Sequence, residues 1–144
     1  MRVLLDTSVL VAAIVEAHPM HSVALPWLQR TKAKVDTGLV AAHSLAELYA
    51  ILTTLPLRRR IAPALAWELI QRNVLAALEV VALTVDDYAV VVARLSEMGM
   101  AGGVTYDALI LEAADKGQAD RIVTLNEADF QRVAPHLADR IASP

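Results

Sequence analysis

Short apolar runs alternate with longer stretches whose apolar residues recur every three or four positions, the pattern of strands interleaved with amphipathic helices. Residues 2–5 read as a buried strand and 7–16 as a helix, which His18-Pro19 breaks. A second helix spans 21–30, with Leu25, Trp27 and Leu28 available for packing. A strand at 39–42 leads into a helix over 44–55, closed by Pro56, and Pro63 opens another over 64–75. A strand at 79–83 precedes a helix that Thr84 or Asp86 caps and that continues to Met98, with Tyr88, Val91, Val92 and Leu95 on one face. Gly99, Gly102 and Gly103 mark a turn before a helix over 105–116, which stops at Gly117. A strand at 122–125 and a short helix at 128–133 follow, and the tail after Pro135 is weakly patterned. Strands separated by one or two helices indicate an α/β fold with a mainly parallel sheet. No repeat or linker divides the chain, so 1–144 is expected to form a single domain.

Composition narrows the function. Apolar residues make up 56% of the chain, which excludes a disordered segment, and the net charge of −3 does not mark a general polyanion binder. Without cysteine, disulfides, zinc–thiolate sites and iron–sulfur clusters are impossible, and a cytoplasmic location is expected. Asp6 interrupts the apolar core a signal peptide requires, and no apolar run approaches the length of a membrane span.

The chemistry lies in four acids read at strand-to-helix junctions: Asp6, Glu47, Asp107 and Asp129. In a parallel sheet such junctions share the edge outside the carboxyl ends of the strands. Carboxylates gathered there repel one another unless a cation lies between them. Each acid also has a local explanation. Asp6 could cap the first helix, Ser44 and Glu47 fit a capping box, Asp107 suits a first helical turn, and Asn126 could cap the helix that carries Asp129. Two positions favour the metal. Asp107 shares a helix face with Ile110, Leu111 and Ala114, and Asp6 ends an apolar strand, with no Arg or Lys adjacent to either. An all-oxygen site selects Mg²⁺ or Mn²⁺. His18, His21, His43 and His136 form no metal-binding spacing. If the carboxylates do repel, Asp6→Asn and Asp107→Asn should each raise stability in metal-free solution.

Leu5-Asp6-Thr7-Ser8, Ala46-Glu47-Leu48, Gly103 through Tyr106-Asp107-Ala108-Leu109-Ile110, and Thr124-Leu125-Asn126 with Asp129-Phe130 occur in an order and spacing that resembles the PIN-domain family, specifically VapC-type toxin ribonucleases. The resemblance covers nearly the whole chain. It implies a PIN-like three-layer α/β/α domain and a Mg²⁺- or Mn²⁺-dependent endoribonuclease. Asp6 and Asp107 would be the principal metal ligands, and Glu47 and Asp129 would act through water or a second ion. Ser8, Thr124 and Asn126 would form a supporting polar shell. Arg58, Arg59 and Arg60 are candidate RNA contacts, as are Arg30, Lys32 and Lys34. Implied partners are RNA, a second copy of the chain, and a cognate antitoxin whose arginine-bearing tail would enter the acidic groove.

Competing readings are a non-catalytic RNA- or protein-binding module of the same fold and a housekeeping RNA-processing nuclease. A haloacid-dehalogenase-like phosphatase would want an acid two residues after Asp6, where Ser8 stands. A phospho-accepting signalling domain would want an acidic pair at the end of the first strand, and Leu5-Asp6 does not supply it.

Overall fold

A computed structural model describes all residues from Met1 to Pro144. Five parallel strands form one sheet in the order β3-β2-β1-β4-β5. They are β1 (Arg2–Leu5), β2 (Thr37–Ala41), β3 (Leu78–Val81), β4 (Arg121–Val123) and β5 (Ile141–Ala142). Alternation along each central strand sends neighbouring side chains to opposite faces. Val3, Leu5, Val40 and Val123 join one buried cluster, while Leu4, Leu39, Ala41 and Ile122 join the other. Both faces are therefore covered, as an all-parallel sheet requires.

Helices α1 (Thr7–Ile14), α2 (His21–Lys32), α3 (Ala42–Thr54) and α4 (Pro63–Ile70) supply the first layer. Helices α5 (Val85–Glu97), α6 (Val104–Lys116) and α7 (Glu127–Val133) supply the second, giving the expected three-layer α/β/α fold. Helix α1 has no charged residue and buries six of its eight, because the sheet, α2 and α3 surround it. At Gly38 of β2 the side chains of Leu78 and Thr31 fill the space a side chain would need. A Cβ on Gly38 would meet Leu78 Cδ2 at 2.1 Å and Thr31 Cγ2 at 2.7 Å.

Several expectations are corrected. Helix α3 begins two residues early, at Ala42, so Ser44 lies within it and is buried; the Ser44–Glu47 capping box does not form. Thr84, not Asp86, caps α5, in a capping box with Asp87. On α5 only Val91 and Leu95 are buried, while Tyr88 and Val92 remain 42% and 54% exposed. The helix expected over 64–75 is two pieces, α4 and a π-helical turn at Gln71–Leu75. The tail is ordered as a 3-10 helix, Pro135–Arg140, and the edge strand β5. No helix is long and apolar enough to cross a membrane.

Strand numbering runs outward from β1 in both directions, through β2 and β3 on one side and β4 and β5 on the other. The gap between β1 and β4 is thus the topological switch point, where open parallel sheets present a crevice outside their carboxyl ends.

Candidate active site at the sheet's carboxyl edge

Asp6 follows β1 and Thr124 follows β4, and the pairing of Leu5 with Val123 sets them side by side at that switch point. Asp6 is 3% exposed and caps α1, its Oδ1 accepting from the Thr7 amide at 2.7 Å. Its Oδ2 accepts from the Ser8 hydroxyl at 2.6 Å and the Thr124 hydroxyl at 2.9 Å. These hydroxyls are themselves anchored: Ser8 Oγ accepts from the Leu125 amide, and Thr124 Oγ1 from the Asn126 amide. The capping and site readings of Asp6 are therefore compatible, since one carboxylate does both. Burial raises its pKa and the hydrogen bonds oppose that rise.

Glu47 enters from the second turn of α3. Burial raises its pKa, the nearby Asp6 adds to the rise, and the Thr7 hydroxyl offsets part of it. Ser44, one turn earlier, accepts a buried hydrogen bond from Thr7 Oγ1 at 2.9 Å and so ties α3 to the capped end of α1. His43 Nε2 lies 3.2 Å from Glu47 Oε1, yet neither buried atom finds hydrogen-bond geometry. Burial lowers the His43 pKa and so disfavours the charged imidazole that an ion pair with Glu47 would need.

Asp107 arrives by a different route from the one expected. Its helix follows α5 rather than a strand. Ion pairs Asp87–Lys116 and Arg94–Glu112 show α5 and α6 to be antiparallel, and the hairpin delivers the first turn of α6 to the acids. Asp107 accepts no hydrogen bond and has no ion-pair partner, unlike Asp36, which binds Arg30 at 2.6 Å and the Met1 amine at 3.2 Å. Burial raises the Asp107 pKa to about 6, helped by the charges of Asp6, Glu47 and Asp129 and opposed by Arg132.

Asp129 completes the group from α7, 58% exposed and paired with Arg132 at 3.3 Å. Asn126 stands at the start of that helix, but its side chain does not cap it. All four predicted acids are thus electrostatically coupled at one edge. They are not closed into a cage, and no three acidic or histidine side chains converge at metal-ligand geometry. Their chemistry nonetheless suits a hard divalent cation: every donor is oxygen, and Asp107 has no counter-charge at bonding distance.

The predicted basic contacts divide. Arg58, Arg59 and Arg60 are exposed in the segment between α3 and α4 and make no ion pair. Arg30 is engaged by Asp36 and Lys32 by Asn73, so both have structural partners. Three residues at the site were given no role there by the sequence reading. His43 lies one turn before Glu47, Tyr106 adjoins Asp107, and Arg132 lies one turn after Asp129. Those offsets from the acids were the available signal.

Comparison with known proteins bears on the family and the fold. The family model of the PIN domain matches residues 3–135. Ribonuclease VapC27 of Mycobacterium tuberculosis is 32% identical over 115 residues, covering 80% of this chain and 78% of that protein. Ribonuclease VapC40 of the same species is 37% identical over 109 residues, covering 73% of this chain and 72% of its own. Among solved structures, VapBC2 from Rickettsia felis bound to a promoter DNA fragment contains a chain of the same fold. It has a TM-score of 0.69 at 23% identity, covering 100% of this chain and 99% of that one.

Proposed function

This chain belongs to the PIN-domain family, and from that premise we propose that it is a metal-dependent endoribonuclease, the toxin of a type II toxin–antitoxin pair. The observation that carries the reading is Asp107: a carboxylate without a partner, pushed to about 6 beside three other acids. A protein that merely binds RNA or protein gains nothing from keeping such a group. Its cost is compensated once a cation is bound.

In this reading Asp6 and Asp107 hold Mg²⁺ or Mn²⁺ directly, and Glu47 and Asp129 bind through water or a second ion. A divalent cation held there would lower the pKa of a bound water for attack on phosphorus and would offset charge on the phosphate and leaving oxygens. The remaining work falls to the chain. Ser8 and Thr124 fix the Asp6 carboxylate, so its orientation is set before substrate arrives. The Asn126 amide, held by Thr124, keeps the start of α7 against the same hydroxyl. Ser44 and Thr7 hold the base of α3 and with it Glu47. Arg132 is the nearest cation to the acids and is suited to a non-reacting phosphate oxygen. Arg58, Arg59 and Arg60 offer further backbone contacts.

The ribonuclease names of the relatives support RNA as substrate, and the VapBC2 assembly supports an antitoxin partner. We further propose a homodimer working in the cytoplasm. The test is incubation of antitoxin-free protein with a panel of labelled RNAs in Mn²⁺ or EDTA, with Asp107→Asn alongside. Cleavage that needs both the metal and Asp107 is expected. Metal-independent cleavage, or cleavage by Asp107→Asn at the wild-type rate, would overturn the assignment.

A further inference from the structure

Tyr106 immediately precedes the partnerless Asp107, and half of its surface is open to solvent, at 50%. Its hydroxyl makes no hydrogen bond, so no polar contact accounts for its position. On one side it lies parallel to His43, with ring centroids 5.0 Å apart and an interplanar angle of 8°, an offset stack. His43 itself is partly buried and set by its place on α3, four residues before Glu47. The tyrosine of α6 is therefore backed on one face by a ring carried on α3, while half of its own surface stays open. Of the chain's three tyrosines and two tryptophans, Tyr106 alone adjoins one of the four acids in sequence.

We infer that the face of Tyr106 turned away from His43 is a stacking platform for one unpaired nucleobase of single-stranded RNA, next to the phosphate held at the carboxylates. A flat, half-exposed, pre-oriented ring is what a splayed base requires, and a base in a duplex has no free face to offer it. The interaction is sequence-tolerant, since every base has a π-face, so it selects unpaired RNA rather than a particular letter. The inference rests on the ribonuclease reading only for the identity of the ligand as RNA.

The probe is a short single-stranded RNA carrying 2-aminopurine at successive positions, with a matched series in which the same position is abasic. Binding is measured by anisotropy in Ca²⁺, and cleavage is followed separately in Mn²⁺. Wild type is expected to quench 2-aminopurine at one position and to bind the matching abasic RNA about tenfold or more weakly. Tyr106→Phe keeps the ring and should keep both signals. Tyr106→Leu keeps apolar bulk against His43 and should lose both, with its melting temperature reporting that it is folded. Should Tyr106→Leu fail to fold, quenching and abasic discrimination by Tyr106→Phe and wild type still decide the matter. Equal binding of base-bearing and abasic RNA by a wild type that cleaves in Mn²⁺ would overturn the platform and leave the nuclease standing. Position-specific quenching without Mn²⁺ cleavage of any RNA would uphold the platform and overturn the nuclease. Absence of RNA binding would overturn both.

Discussion

Replacing Asp107 with Asn is the cleanest perturbation of the site, because the carboxylate has no hydrogen bond or ion pair to lose. Its pKa stands at about 6 against 3.8 for a free side chain. Fully expressed, that displacement is about 3 kcal/mol of destabilisation of the ionised, metal-free protein. Asp107 is only half-buried, so solvent screening reduces the figure to roughly 1–2 kcal/mol. At the entropy of unfolding typical for a chain of this length, Asp107→Asn should melt about 3–7 °C higher than wild type in EDTA at pH 8.

The pH dependence has a definite sign. Below 3.8 the carboxyl is protonated in both the folded and unfolded chain, and the substitution should change little. As pH rises from 3.8 to about 6 the unfolded chain releases its proton first, so wild type loses stability across that window and then levels off. The advantage of Asp107→Asn therefore opens over the same window and stays constant above it. Mn²⁺ should reverse the order, stabilising wild type by about 2.7 kcal/mol at a hundredfold excess over its Kd and the variant by less. Thermal melts monitored by circular dichroism at pH 4, 6 and 8, with EDTA or Mn²⁺, read all of this. A variant no more stable than wild type at pH 8, or equal Mn²⁺ shifts in the two proteins, would refute the reasoning.

Asp6→Asn should behave differently, although the sequence suggested the same gain. An amide nitrogen in place of Oδ2 cannot accept from both Ser8 and Thr124, so its rise in EDTA should fall short of that of Asp107→Asn by about 1 kcal/mol or more, measured in parallel melts. Ser44→Ala removes the acceptor of the buried Thr7 hydroxyl and should cost about 1–3 kcal/mol in urea unfolding; no change in the midpoint would mean that Thr7 finds another acceptor without loss. Gly38→Ala places a methyl 2.1 Å from Leu78 Cδ2 and should lower stability by about 1–3 kcal/mol, while a neutral result would show that Leu78 and Thr31 can both move aside.

The core of the fold was legible because its strands are buried on both faces. Val3-Leu4-Leu5 and Ile122-Val123 read as unbroken apolar runs, and the acids that interrupt or follow them marked the edge at which the structure gathers the four carboxylates. Strand β5 was not legible, since two residues carry no periodicity and pair only once β4 is in place. Ser44 misled for a local reason. Its spacing to Glu47 matches a capping box, but Thr7, 37 residues earlier in the chain, claims its hydroxyl, and α3 starts before it. The acids were found by chemistry that short-range sequence displays. His43 and Tyr106 were given no role, because their stack joins α3 to α6 across the fold and only their offsets from Glu47 and Asp107 pointed to them in sequence.

The four acids differ in how firmly they are held, and the difference follows from the elements that carry them. Asp6 ends the central strand, and three hydrogen bonds fix both of its oxygens. Glu47 sits on a helix tied to that strand's cap through Ser44 and Thr7, and its side chain is 28% exposed. Asp107 is positioned by the α5–α6 hairpin but held by no bond of its own. Asp129 stands 58% exposed on a short helix, engaged only by its neighbour Arg132. If the proposed cation binds here, it would meet one rigid carboxylate and progressively more adaptable ones. On the proposed function, coordination would form around Asp6 while the helices adjust, and a substrate phosphate would displace the loosest contacts without disturbing the first. The ordering also predicts where substitutions should be most forgiving. Asp129→Asn should retain more metal-dependent cleavage than Asp6→Asn or Asp107→Asn, and equal losses at all three positions would show that the outer acid is held as tightly in the working complex as the inner ones.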